Sequence, residues 1–111
     1  QPRLMEDGGG LRAPGDSVLL SCRGSGFTFE NVRLLWYRQA PGARLEWLSF
    51  IKYDSSIIKF GSSVQGRATA SRNNFLSETS LSLRALNLQD SARYFCAVRT
   101  QTGNAAELKQ K

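Results

Sequence analysis

At 111 residues the chain has room for one domain, spanning 1–111, with a single core between two layers. It contains no histidine, which removes the commonest general base and metal ligand, and its two cysteines are too few for a zinc site. The net charge of +6 comes from fifteen Lys and Arg scattered from Arg3 to Lys111 without a cluster, so it reads as solvated surface and not as a nucleic-acid stripe. No run of apolar residues is long enough to span a membrane. Gln1 opens directly on domain-like sequence with no apolar leader, which reads as a processed or trimmed ectodomain.

In chain order, Gly8–Gly10 and the stretch from Leu11 to Gly15 are rich in turn residues and predict a broken edge strand, because Pro14 has no place in a central one. Asp16 to Arg23 is the first core strand, and Val18, Leu20 and Cys22 share one face of it. Phe27 and Phe29 then fall in a loop, where one ring is expected to pack into the top of the core. Leu34 to Gln39 is the second core strand, closed by Ala40-Pro41-Gly42. Leu45 to Ile51 is the next; Lys52 to Ser56 forms a hairpin tip, and Ile57 to Phe60 runs back from it. Arg67 to Arg72 and Thr79 to Arg84 flank a turn at Asn73 and Asn74, and Leu86 to Asp90 has room for one helical turn. Arg93 to Val98 is the last clear strand, with Tyr94 and Cys96 on one face. Short strands with a turn every eight to twelve residues describe an all-β sandwich.

The two cysteines share inward parity. They are either a disulfide, which would indicate an oxidising compartment, or two buried thiols. Alternation fails informatively on the middle strands: Leu35, Tyr37, Phe95 and Ala97 lie on the face opposite the core and are apolar too, with Leu45 and Trp47 on the neighbouring strand. An apolar second face of this kind marks an interaction surface.

With Cys22, Trp36, Tyr94 and Cys96 in this order, the chain resembles the immunoglobulin variable-type domain, and the resemblance covers nearly all of it. Gly8 to Leu11, Ser25 to Phe29, Ala40 to Gly42 and Leu45 to Trp47 are similar to antibody heavy-chain framework. Trp36 to Gln39 and Asp90 to Arg99 are more similar to T-cell receptor variable domains. The resemblance implies a two-sheet antiparallel Greek-key sandwich with one inter-sheet disulfide, Cys22 to Cys96. It further implies an ion pair between Arg67 and Asp90. The residues themselves ask that Tyr94 spend its hydroxyl on nearby backbone and that Arg38, on the face of Trp36, find a partner in Asp90 or Glu46.

Its functional implication is recognition without chemistry: three loops, Gly26 to Arg33, Lys52 to Lys59 and Ala97 to about Gln101, gather at one end and bind a protein antigen or other ligand. The expected contacts are Asn31, Arg33, Lys52, Tyr53, Asp54, Arg99, Thr100 and Gln101, with Tyr53 and Arg33 as anchors. A second variable domain, from another chain or a second copy, is expected to cover Leu35, Tyr37, Gln39, Leu45, Trp47 and Phe95. Tyr37 and Arg44 depart toward a single-domain receptor. No cofactor, metal, nucleic acid or membrane insertion is implied, the location is extracellular, and no catalytic constellation emerges.

Two departures stand out. The tail from Thr102 to Leu108 keeps only Gly103 and Leu108 of the family's closing pattern, so the last strand is expected to be weak or replaced, and the third loop to be about five residues long. Ala68, Ala70 and Thr79 replace larger framework side chains, and Phe75 or Leu76 is expected to fold inward to fill the space.

Overall fold

The computed structural model describes residues 2–10, 12–100 and 107–109. Nine strands occur among them: β1 (Arg3–Gly8), β2 (Val18–Ser25), β3 (Val32–Gln39), β4 (Glu46–Ile51), β5 (Ile58–Phe60), β6 (Ala68–Asn73), β7 (Glu78–Leu83), β8 (Arg93–Thr100) and β9 (Glu107–Lys109). They form two antiparallel sheets, β1-β2-β7-β6 and β5-β4-β3-β8-β9. The chain changes sheet between β2 and β3, β5 and β6, and β7 and β8, as the expected sandwich requires.

Period-two patterning decides which residues meet between the sheets. Leu20 and Cys22 of β2, Leu81 and Leu83 of β7, Leu34 and Trp36 of β3, and Cys96 and Val98 of β8 form one buried cluster. Cys22 and Cys96 are disulfide-bonded across it, 74 residues apart in sequence. A closed loop of that length removes denatured-chain entropy worth about 4 kcal/mol. Trp36 lies opposite Cys96 in the β3–β8 register and is wholly buried.

The alternation breaks once on β4. The register steps from Trp36 opposite Ser49 to Tyr37 opposite Trp47, so Leu48 is an inserted residue. This bulge turns both Leu48 and Ser49 into the core and leaves Trp47 on the outer face. Gly61 makes room for that arrangement, since a Cβ there would stand 2.6 Å from the Trp47 carbonyl oxygen.

At the lower end of the sandwich one carboxylate gathers three elements. Asp90 ends a single 3₁₀ turn (Leu88–Asp90) and accepts Arg67 through two parallel bonds, both 2.8 Å, from Nη1 and Nη2. It also accepts Arg38 Nη1 at 2.9 Å and the Asn87 amide at 2.9 Å. Arg38 donates its Nε to Glu46 at 2.8 Å as well, so both expected partners hold it. The Tyr94 hydroxyl donates to the Asp90 carbonyl at 2.7 Å. Burial pushes the Asp90 carboxyl up, but the bonds from Arg67, the Asn87 amide and Arg38 outweigh it and hold the group well below the usual carboxylate range.

Several expectations are corrected. The edge strand is Arg3–Gly8 and stops at the first residue of the glycine run; Gly8 still pairs with Leu20, and the positive φ of Gly8, Gly9 and Gly10 turns the chain away from β2. Phe75 and Leu76 do not fold inward: Phe75 is 94% exposed at the tip of the β6–β7 turn. Its backbone is committed outward by the Asn73 carboxamide, which accepts the amides of Phe75 and Leu76. Thr79 is itself buried and spends its hydroxyl on the Ser71 carbonyl at 2.7 Å. Above Ala70 the inward side of β6 is continued by the partly buried Arg72, whose guanidinium lies 5.1 Å from the Phe29 ring centroid.

Candidate functional site

The first loop, from Gly26 to Asn31, is built downward from its aromatics. Phe29 is buried, with Phe27 stacked on it at 6.2 Å between centroids. Gly24 lets them approach, since a Cβ there would lie 2.6 Å from Phe27 Cζ. One ring therefore does anchor the loop, and burying it is worth about 2 to 3 kcal/mol. Asn31 ends a 3₁₀ turn (Phe29–Asn31) and is exposed.

The second loop, between β4 and β5, is closed by the Lys52 amide on the Ile57 carbonyl at 2.9 Å and the Ser55 amide on the Lys52 carbonyl at 2.9 Å. Ser55 takes φ of 64°, and the Asp54 carboxylate accepts the Ser56 amide at 3.0 Å. Its bonds to the Ser56 side chain and amide lower the Asp54 pKa. The Lys52 ammonium lies 5.3 Å from the Tyr53 ring centroid.

These two loops are tied together from below by β6 and the turn after it. Arg72 Nη2 donates to the Phe29 carbonyl and Nη1 to the Val32 carbonyl, both at 2.8 Å. Its Nε donates to Asn74 Oδ1 at 2.7 Å, and Asn74 Nδ2 in turn donates to the Tyr53 carbonyl at 2.9 Å. A continuous chain of hydrogen bonds thus runs from the first loop to the second. Burial pulls the Arg72 pKa down to about 10, which leaves it a cation at neutral pH. Neither residue was among the expected functional ones. The signal was present in Ala68, Ala70 and Arg72 sharing one parity, since a charge on a core face must find acceptors.

Of the remaining expected contacts, Arg33, Arg99 and Thr100 do not lie in loops. Arg33 is the second residue of β3, and Ala97, Arg99 and Thr100 belong to β8, where pairing with β3 continues up to Thr100 opposite Val32. The third loop therefore does not begin at Ala97, since β8 runs on to Thr100. Gln101 and the tail from Thr102 to Ala106 lie outside the described residues. The last strand is present as Glu107–Lys109, three residues paired with β8. Arg33 and Arg99 face each other in register on the outer side of the five-stranded sheet. The Arg33 guanidinium lies 5.9 Å from the Phe50 ring centroid, and its Nε is buried with no hydrogen bond.

Of the expected partner-facing residues, Leu35 and Phe95 are already buried within the domain, at 4% and 8% exposure. Tyr37 stacks on Phe95 at 5.9 Å between centroids, and the Arg93 guanidinium lies 5.7 Å from the Phe95 ring centroid. Gln39 is exposed but donates its amide to the Ala43 carbonyl at 3.1 Å. The apolar surface left outside is Leu45 at 39% and Trp47 at 37%, beside half-buried Tyr37 and Phe50.

Among the described residues, no three of His, Cys, Asp and Glu gather as a metal site would need, and no helix is long and apolar enough to cross a membrane. Compared with known protein families, residues 11–110 match the Immunoglobulin V-set domain. That match takes in Cys22, Trp36, Tyr94 and Cys96, and the two-sheet architecture and disulfide agree with it. The chain belongs to the immunoglobulin V-set family.

Proposed function

We propose that the chain is the antigen-recognition variable domain of an adaptive immune receptor, heavy-chain-like with T-cell-receptor features of the δ or μ type, acting outside the cell by binding and not by catalysis. What carries this reading is the Arg72–Asn74 tie beneath the first two loops. It fixes backbone carbonyls of Phe29, Val32 and Tyr53 while leaving Asn31 and Asp54 exposed. A surface held in one conformation before binding loses less entropy on engagement, which is what a recognition loop needs. Asn31, Tyr53, Lys52 and Asp54 form the loop part of that surface, and Arg33, Arg99 and Thr100 extend it onto the strands, with Gln101 following.

The test is sequence diversity among transcripts of the same receptor. Variation concentrated at residues 101–106 over a fixed framework supports antigen recognition; identical residues there in every transcript refute it.

A second role is favoured by the outer face of the five-stranded sheet, where Trp47 and Leu45 stand exposed beside Tyr37. Pairing with a neighbouring variable-type domain would cover them. A constant third loop would make this supporting role the primary one.

A further inference from the structure

At the loop end of the sandwich, half-buried Phe50 of β4 is bracketed by cations from the strands on either side of it. Exposed Lys59 of β5 lies directly opposite it in register. From β3, on the other side, the Arg33 guanidinium lies 5.9 Å from the Phe50 ring centroid. The pairing of Leu34 with Ile51, carried one residue further, brings Lys52 level with Arg33, and the Lys52 amide donates to the Ile57 carbonyl at 2.9 Å. Phe50 and exposed Ile57 are thus the apolar part of a patch edged by Arg33, Lys52 and Lys59.

The acids of the chain leave two of these cations unmatched. Lys52 is close enough to lower the Asp54 pKa, so it has a partial counter-charge. Arg99, directly opposite Arg33, has the strand position of Glu107 on its other side. Among the described residues, however, neither the Arg33 nor the Lys59 side chain forms a hydrogen bond or an ion pair. Glu30 is exposed on the first loop, and residues 101–106 contain no charged side chain. Two arginines opposed across neighbouring strands are unfavourable, and an incoming carboxylate relieves that. A guanidinium held over a ring has already lost part of its freedom, so engaging it costs less. A polyanion tracks an unbroken row of cations, but here Phe50 and Ile57 interrupt the row. Covering them favours a ligand whose carboxylates stand beside apolar side chains.

We infer that this end of the domain recognises an acidic protein surface, one that seats an apolar side chain on Phe50 and places carboxylates beside Arg33 and Lys59. The inference rests on the reading of the loop end as a recognition surface, and it adds the chemistry of what is recognised.

The probe is a library of random peptides displayed on phage, selected against the intact domain at low salt. Selected peptides are expected to be enriched in Asp and Glu beside Leu, Phe or Trp, and to bind about tenfold or more weakly at high salt. Arg33→Gln with Lys59→Gln should weaken them about tenfold. Lys59→Gln alone, at an exposed site, should weaken them about threefold and keeps the test open should Arg33→Gln impair folding. Arg3→Gln with Arg44→Gln, both exposed and away from the patch, removes as much charge and should change binding less than about twofold. Acidic peptides weakened equally by both pairs of changes would report net charge alone and overturn the inference. Peptides without an acidic excess that still lose binding with Tyr53→Ala would overturn the ligand chemistry and keep the loop end as the recognition surface. Peptides indifferent to Tyr53→Ala and to both pairs would refute that reading as well. Heparin bound through Arg33 and Lys59 more tightly than any selected peptide would assign a polyanion and overturn the protein ligand, and a selection that enriches nothing over the bare support also overturns the inference.

Discussion

Replacing Asp90 by Asn keeps the shape of the side chain and removes its charge, and the structure sets what that should cost. The carboxylate accepts four hydrogen bonds, two from Arg67, one from Arg38 and one from the Asn87 amide. A carboxamide offers one acceptor oxygen, and its nitrogen must be aimed at a donor. Arg38 would retain Glu46, but two guanidiniums would share the space without the buried anion. Removing one partner from a buried ion pair costs about 3 to 5 kcal/mol, and the lower end applies here because Arg67 is partly exposed. For a domain of this size, about 3 kcal/mol corresponds to a melting temperature roughly 12 °C lower. Circular dichroism melts of Asp90→Asn and wild type at pH 7 give the difference directly. The pH dependence tests its origin. The folded carboxyl is held below its unfolded value, so its stabilisation is fully present above pH ~4 and is lost as pH falls from there toward the folded pKa. The gap between the two proteins should narrow below pH ~4. A variant within about 1 kcal/mol of wild type at neutral pH would refute the reasoning, as would a gap of equal size at pH 3.

Arg72→Ala should lower stability by about 2 to 3 kcal/mol, because it removes charge-assisted bonds to the Phe29 and Val32 carbonyls and leaves those acceptors in partly buried surroundings. Hydrogen exchange should speed up in both the first loop and the second at Tyr53; unchanged protection at Tyr53 would show that the tie through Asn74 is not coupled. Phe75→Ala should leave the melting temperature unchanged within about 0.5 kcal/mol, since the ring touches little of the domain. A substantial drop would show that the ring packs inward after all.

Much of the lower half of the molecule was legible in the residues themselves. Trp36 and both cysteines fell on core faces by simple alternation, the Arg38 and Tyr94 contacts around Asp90 followed from the need of buried charges and hydroxyls for partners, and the Arg67–Asp90 pair was implied by the family resemblance. The upper half was less so, because alternation was broken or carried past the point where a loop was expected. The bulge at Leu48 reassigns two residues to the core through backbone geometry that no local pattern announces. Pairing of β8 with β3 up to Thr100 depends on a strand almost seventy residues away in the chain, so Arg99 and Thr100, past the expected strand end at Val98, read as loop until the partner strand was in view.

The sequence by itself determined an all-β sandwich, because strand parity and regular turns place one apolar face of each strand inward, and the order of Cys22, Trp36 and Cys96 carried the resemblance that implies the immunoglobulin type. Only the tertiary structure decided how the ends of that sandwich are used. Arg72, and not the expected Phe75 or Leu76, continues the inward side of β6 above Ala70, and there it reaches carbonyls of β3 and the first loop. The outer face proved to hide Leu35 and Phe95 and to expose Trp47. Both outcomes depend on which side chain reaches a given space across sheets, a matter of distance in three dimensions that residue order does not encode locally.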